Sequence, residues 1–325
     1  MKIMAPKGTI TVALCFMTIF LGIGCAATKK ITNDIRSGDK ALKKKIAFVP
    51  IVNKTGYGGK EFEKSATAQL KTCLKSVCEN FVIIDSPTAR NLLEQIPRLP
   101  SGQLNNLALI KLGRTLGLNA VVEKSLSEIE CLSDKRGIWG FRNSRTLLEL
   151  HVRVKAHDIE TGAILVDEAV SDEVEVSERD WQDVKDRNGY HKEIGDRLLA
   201  KAADRICGRL CESLDSEPWK GYVISVSGNT FSLAAGKDVG LAIGDVLEVF
   251  GTSEAIEGQG GQFYLLSGPK IGELRITRVY RNRAEATAIH GSDLQKSSYV
   301  KLKHSHNSAN LIPNNRTDTD QRNQE

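Results

Sequence analysis

Few side chains in this sequence stand where they could do chemistry together. After Cys15 and Cys25 come Cys73, Cys78, Cys131, Cys207 and Cys211. Cys207 and Cys211 are four apart in a helical pattern, which sets their Cα atoms about 6 Å apart, close enough for a disulfide. Burial as small apolar residues is the competing reading. His151 and His157 share the polar face of a strand, but six residues of strand separate them by about 20 Å, too far for one metal ion. His304-Ser305-His306 could grip a metal weakly and opens a polar tail over 304–325. Gly56-Tyr57-Gly58-Gly59-Lys60 lies between a strand pattern and a helix pattern. A phosphate loop there would need GxxxxGK followed by Ser or Thr; Glu61 follows instead, so the glycines read as a turn. Nine acids crowd Asp167–Asp186, against Arg179, Lys185 and the adjoining Arg187. The run reads as a solvated hairpin end and loop, or as a docking surface for a basic partner. No GxSxG, HExxH or CxxC pattern occurs. The expectation is a protein that is not an enzyme, with no catalytic residue, no metal site and no cofactor.

The charge balance excludes a further class. Lys and Arg number 45 against 40 Asp and Glu, a net +5 over 325 residues, which makes no case for nucleic acid as a partner. Apolar residues make up 41% and charged residues 26%, a composition that builds cores rather than disorder. The length suits two domains. Residues 1–24 carry Lys2 and Lys7 and then a mostly apolar run from Ile10 to Ile23. A basic start, a short apolar core and small residues at its end make an export signal; a membrane span needs roughly 20 apolar residues. The segment ends Leu21-Gly22-Ile23-Gly24-Cys25, which resembles the lipobox of bacterial lipoproteins. The resemblance implies that Cys25 becomes the acylated first residue and anchors the chain in a membrane. Ala26 is not the Asp that favours inner-membrane retention in enterobacterial lipoproteins, so the implied address is the periplasmic face of the outer membrane. Cleavage after Ala26 or Ala27 would instead release a periplasmic or secreted protein. Without Lys2 and Lys7 the net charge is +3. Residues 26–45 then hold Lys29, Lys30, Arg36, Lys40 and Lys43 to Lys45 against Asp34 and Asp39. They read as a solvated basic tether, bounded at 25–44, that could also lie against anionic head groups.

The elements follow from periodicity. Ile46–Val52 reads as a strand, with Pro50 arguing for an edge or terminal position. Phe62, Ala66, Leu70, Cys73, Leu74 and Val77 recur at helical spacing. Phe81–Asp85 is a short strand, helices are expected near Thr88–Ile96 and Gln103–Leu116, and Val121–Ile129 is a third strand. In Leu148–Ala156 the even positions are apolar, so one face packs and the other meets water. Asp158-Ile159-Glu160-Thr161-Gly162 turns the chain into a return strand over 164–176, and Ile194 to Leu214 marks a long helix. This order predicts an α+β fold, a mixed sheet packed by helices, over 45–215. Ile46-Ala47-Phe48-Val49-Pro50 with Asn53-Lys54-Thr55-Gly56, then Phe81–Asp85, then Asp158–Gly162, resemble a periplasmic domain superfamily. It includes the curli-secretion channel lipoprotein, the amino-terminal domain of the Tol-system propeller protein and the middle domain of flagellar assembly protein T.

Beyond Ser216-Glu217-Pro218 the pattern becomes all-β. Alternation at Tyr222–Val226, Phe231–Leu233 and Ala284–Ala288, with further short strands at Val246–Phe250, Ile271–Ile276 and Tyr299–Leu302 spaced by glycine turns, predicts a small barrel over 216–303. Gly258-Gln259-Gly260-Gly261 reads as a flexible excursion from it. The "V-x-G-N-x-x-x-L", "G-K-D-V-G-L-x-I-G-D" and "I-G-E-L-x-I" segments resemble the SH3-like carboxy-terminal domain of flagellar assembly protein T. Ile138, Trp139 and Phe141, near the tip of a loop over Cys131–Asn143, are either packed on their own domain or an apolar anchor for a partner. Together these features predict a non-enzymatic, membrane-anchored adaptor that binds envelope or appendage proteins during flagellar or secretion assembly, with homo-oligomers left open. The alternatives are a curli-type secretion channel subunit and a contact activator of a cell-wall enzyme. The channel would need membrane-spanning hairpins of about 9–11 residues per strand, and the insertions 131–146 and 171–188 read as too short or too acidic.

Overall fold

The computed structural model describes residues 41–136, 143–186, 189–251, 254–291, 294–296 and 298–303, and Leu42–Lys303 form one compact unit. The first half is a mixed sheet. Strand β1 (Lys44–Phe48) pairs in parallel with β3 (Phe81–Ile84) on one side and β4 (Ala120–Arg136) on the other. The two-residue β2 (Val52–Asn53) also joins β4. Antiparallel β5 (Asn143–Asp158) and β6 (Ile164–Val176) complete the order β3-β1-β4-β5-β6. β1 is interior, and Pro50 lies two residues beyond its last residue Phe48, so the proline marks a strand end rather than an edge.

Both faces of the sheet are covered, which is why Ile46–Val49 is a continuous apolar run rather than an alternating one. Ile46 and Phe48 face a cluster shared with α1 (Gly59–Val77) and α5 (Lys192–Ser216). Phe62, Ala66, Leu70 and Leu74, four apart on α1, are all buried there. Ala47 and Val49 face the opposite cluster, with Leu93 of α2 (Pro87–Glu94) and Leu109 of α3 (Asn106–Leu116). Capping follows the sequence closely: Ser86 and Asn105 accept from Ala89 and Ala108 N–H, and Ser177 caps α4 (Glu178–Lys185). Gly117 ends α3 in the left-handed conformation. Among the described residues, no helix is long and apolar enough to cross a membrane.

The second half is a closed antiparallel barrel of six strands: β7 (Gly221–Ser227), β8 (Thr230–Leu233), β9 (Val246–Phe250), β12 (Lys270–Val279), β13 (Ala284–Gly291) and β14 (Tyr299–Leu302). All six fall on short segments that the sequence pattern marks as strands. Val223, Phe231, Leu233, Leu247, Val249, Leu274, Ile276 and Val300 fill it.

Three expectations are corrected. The excursion around Gly258–Gly261 is a hairpin, β10 (Ala255–Glu257) and β11 (Phe263–Leu265), docked on the start of α3. Buried Gln262 donates to Gln103 Oε1 and Leu104 O, and Asn106 exchanges hydrogen bonds with the Phe263 backbone. Lys44 and Lys45 are not part of a solvated tether: both are buried in β1, where Lys45 Nζ donates to Ala234 O and pairs with Asp238 at 3.0 Å. Leu42, just before them, lies in the barrel core. The acidic run forms much of β6 and α4, and basic side chains engage its β6 carboxylates. Arg153 holds Asp167 at 2.7 Å, Arg205 lies 3.3 Å from Asp172, and Arg209 lies 2.9 Å from Glu168.

Tyr222 and Tyr299 of the barrel pack into the same buried cluster as Leu109, Leu118, Val121 and Ile159 of the first half. Beside them Lys220, 4% exposed, pairs with Asp158 at 3.1 Å and Glu160 at 2.7 Å, both from the Asp158–Gly162 turn. Asn119 accepts from Lys45 N–H and donates to Lys220 O. Sheet and barrel are thus joined by apolar packing around a hydrogen-bonded polar network.

Candidate functional site

Even-numbered side chains of β4 enter the core: Val122 and Leu126 are fully buried under α1 and α5. Lys124 stands between them on the same parity and is 2% exposed. Its Nζ donates to Thr67 Oγ1 of α1 at 3.0 Å and lies 4.7 Å from the centre of the Phe48 ring. No carboxylate among the described residues lies within ion-pair distance of it. Burial, helped by the neighbouring Lys71 charge and opposed by Asp85, lowers its pKa from 10.5 to about 7. Lys124 forms part of the wall of a cleft of about 460 Å³ with Phe48–Ile51 after β1, Asp85 after β3, and α1 and α2. The chain leaves β1 towards β3 and later returns to β4 on the other side. Ligand crevices of open α/β sheets lie at such a reversal, outside the carboxyl ends of the strands.

A second, smaller cavity of about 190 Å³ lies on the opposite face, lined by Gln103, Glu123, Lys155, His157, Gln262 and Tyr264. His157, on the odd parity expected to meet water, is covered by the β10–β11 hairpin and 6% exposed; neither ring nitrogen has a hydrogen-bond partner. Its Nε2 is 3.6 Å from Glu123, which Arg98 holds at 2.9 Å. Burial raises the Glu123 pKa, but His157 and Arg98 outweigh it and hold the carboxyl below its usual range.

His151 belongs to a separate group. Glu130 and Glu149 face each other across β4 and β5, and His151 Nε2 approaches Glu130 at 3.4 Å. Ligand atoms of the three lie within 4.8 Å of one another. The two histidines do stand apart, as their spacing requires, but cross-strand register gives each an acidic neighbour that the linear sequence does not show.

Of the site residues expected from sequence, Cys25, Ile138, Trp139 and Phe141 lie outside the described residues, as do His304 and His306. The Cys207–Cys211 pairing is corrected. Cys207 is bonded to Cys73 and Cys211 to Cys78, with Cα separations of 6.2 and 5.8 Å. α1 and α5 run side by side, and each α5 cysteine meets the cysteine at its own level, Cys73 in α1 or Cys78 at its carboxyl end, rather than its neighbour one turn away. Cys131 is free and half-buried, and burial raises its thiol pKa. The glycine loop is a turn: Tyr57 is buried, its hydroxyl accepts from His191 N–H, and Gly58 takes φ +64° where a Cβ would meet the Tyr190 ring.

No protein-family model and no curated protein sequence matches the chain. Similar solved structures include the hypothetical protein CT253 from Chlamydia trachomatis, at 14% identity and TM-score 0.32, covering 52% of this chain and 99% of that one. Lipoprotein GNA1162 from Neisseria meningitidis is 12% identical, with a TM-score of 0.31 and coverage of 51% and 99%. A minor lipoprotein from Acinetobacter baumannii is 9% identical, with a TM-score of 0.28 and coverage of 52% and 93%. Two of these three neighbours are bacterial lipoproteins by name, but scores this low carry no argument about what the chain does.

Proposed function

We propose that the chain is a non-enzymatic lipoprotein, held by an acyl group on Cys25 at the periplasmic face of the outer membrane, that works by binding other envelope proteins. The observation that carries its export is the pairing of four cysteines into two cross-helix disulfides, bonds that persist in oxidising compartments and are rare in the cytosol. The export signal ending at Cys25 supports the same address. The welded sheet and barrel suit a rigid platform. From it the paired strands β4 and β5 extend for 17 and 16 residues, and the sequence between them, outside the described residues, contains Trp139 and Phe141.

The length of that hairpin exceeds what a membrane-spanning strand requires, which favours the channel-subunit reading more than the insertion 131–146 alone does. Its residues oppose that reading, because Glu128, Glu130, Asp134, Lys135 and Arg136 crowd the distal part of β4 and charges facing lipid are costly. A contact activator of a cell-wall enzyme is a special case of the adaptor.

Fractionation and affinity purification from envelopes test the proposal. Cys25→Ala is expected to leave the membrane fraction, and Trp139→Ser with Phe141→Ser to lose the co-purifying proteins while keeping the fold. A Cys25→Ala protein still retained by membranes would refute the anchor, and unchanged capture by the double variant would refute the tip as the contact.

A further inference from the structure

The crevice outside the carboxyl end of β1 contains a buried amine that the adaptor role leaves unused. We propose that this cleft binds a small monocarboxylate with an apolar body, the carboxylate seated on the Lys124 ammonium and the body against Phe48 and Ile51. The proposal stands independently of the adaptor reading.

Three observations carry it. The first is charge. Lys71 at 2.7 Å and Arg90 at 3.5 Å share the single carboxylate of Asp85, whereas Lys124 has a neutral hydroxyl and an aromatic face. An ammonium with donors to spare in a water-poor floor is costly unless an anion joins it. The second is shape. The cleft, at about 460 Å³, falls in the range of small-molecule sites, and Phe48, Val49, Pro50 and Ile51 give it one apolar wall. The third is place, at the sheet reversal where such ligands bind. The charges facing Lys124 are Glu63, Lys64 and Lys71 from α1, Asp85 after β3, and Arg90 and Glu94 from α2; α5 presents only apolar residues, such as Leu199 and Ala203, to its aliphatic stem. With Lys124 charged, the lining holds four cations (Lys64, Lys71, Arg90, Lys124) against three carboxylates (Glu63, Asp85, Glu94), a surplus that one carboxylate neutralises and a phosphate dianion exceeds.

Isothermal titration of the full mature chain with hexanoate, hexanamide and inorganic phosphate tests this. Hexanoate is expected to bind in the millimolar range or tighter, phosphate more weakly, and hexanamide not at all. Because an anion draws a proton onto the amine, buffers of different ionisation heat should report proton uptake above pH 7, and affinity should fall about tenfold per pH unit there. Lys124→Met, apolar and of similar length, should fold and lose binding. Lys124→Arg should bind without that pH dependence, since a guanidinium stays charged. The proposal is overturned if hexanoate gives no heat, if hexanamide binds equally, if phosphate binds more tightly, or if folded Lys124→Met binds as the wild type does.

Discussion

Lys220 and Lys124 are buried to nearly the same degree, 4% and 2% exposed. Their surroundings drive them in opposite directions. Burial alone would lower the Lys220 pKa, but Asp158 and Glu160 outweigh it and hold the amine above its usual value. Lys124 has no such partner, and burial takes it down to about 7. Depth therefore does not separate a structural lysine from one available to a ligand; the presence of a carboxylate does. Lys220 joins the barrel to the Asp158–Gly162 turn, while Lys124 forms the floor of a cleft and is left short of a counter-ion.

The comparison can be broken most forcefully at Lys220. Lys220→Met leaves Asp158 and Glu160 buried without their cation, and the expected loss is about 3–5 kcal/mol, read by denaturant unfolding at neutral pH. A loss below 1 kcal/mol would mean that the network is not what joins sheet and barrel.

Lys124→Met should do the reverse. The wild type carries the cost of a buried ammonium at low pH; as pH rises from about 7 towards 10.5 the folded chain has released that proton while the unfolded chain still binds it, so stability climbs with pH. The variant should remove this climb and be more stable at pH 7 by on the order of 4 kcal/mol. Lys220 has the opposite sign: its raised pKa adds stability below 10.5 that is lost in strong alkali. Parallel pH–stability curves for wild type and Lys124→Met would contradict the assignment.

The smallest effect concerns the sheet edge. β6 has β5 on one side only, and Arg197, Lys201 and Arg205, four apart on α5, donate to the carbonyls of Glu175, Glu173 and Ser171, two apart on β6. One helical turn and two strand residues rise by nearly the same distance, so the ladder stays in step and occupies an edge that could otherwise pair with another chain. Replacing all three by Ala should cost under about 1 kcal/mol per residue but produce concentration-dependent association in sedimentation.

Local chemistry in the sequence was enough for much of this. Short apolar segments between glycine turns locate every barrel strand, whereas the caps Ser86 and Asn105 set helix starts that periodicity places only nearby. Lys124 is the one charge on the inward parity Val122, Lys124, Leu126, but the segment reads as a strand with or without it, so the break in pattern does not by itself mark a site. Helix packing decides which cysteines meet, so Cys73–Cys207 and Cys78–Cys211 could not be read from a spacing of four on α5. The Glu130–Glu149–His151 group needed the β4–β5 register, and the cover over His157 needed the docked β10–β11 hairpin; both come from contacts remote in sequence.

The central claim, an exported body tethered by a lipid, is tested most directly by mass spectrometry of the protein from its native membranes without reduction. The account predicts a mature chain that begins at Cys25 bearing fatty acid, with Cys73 linked to Cys207 and Cys78 to Cys211. An unacylated amino terminus, or four free thiols at those positions, would contradict it.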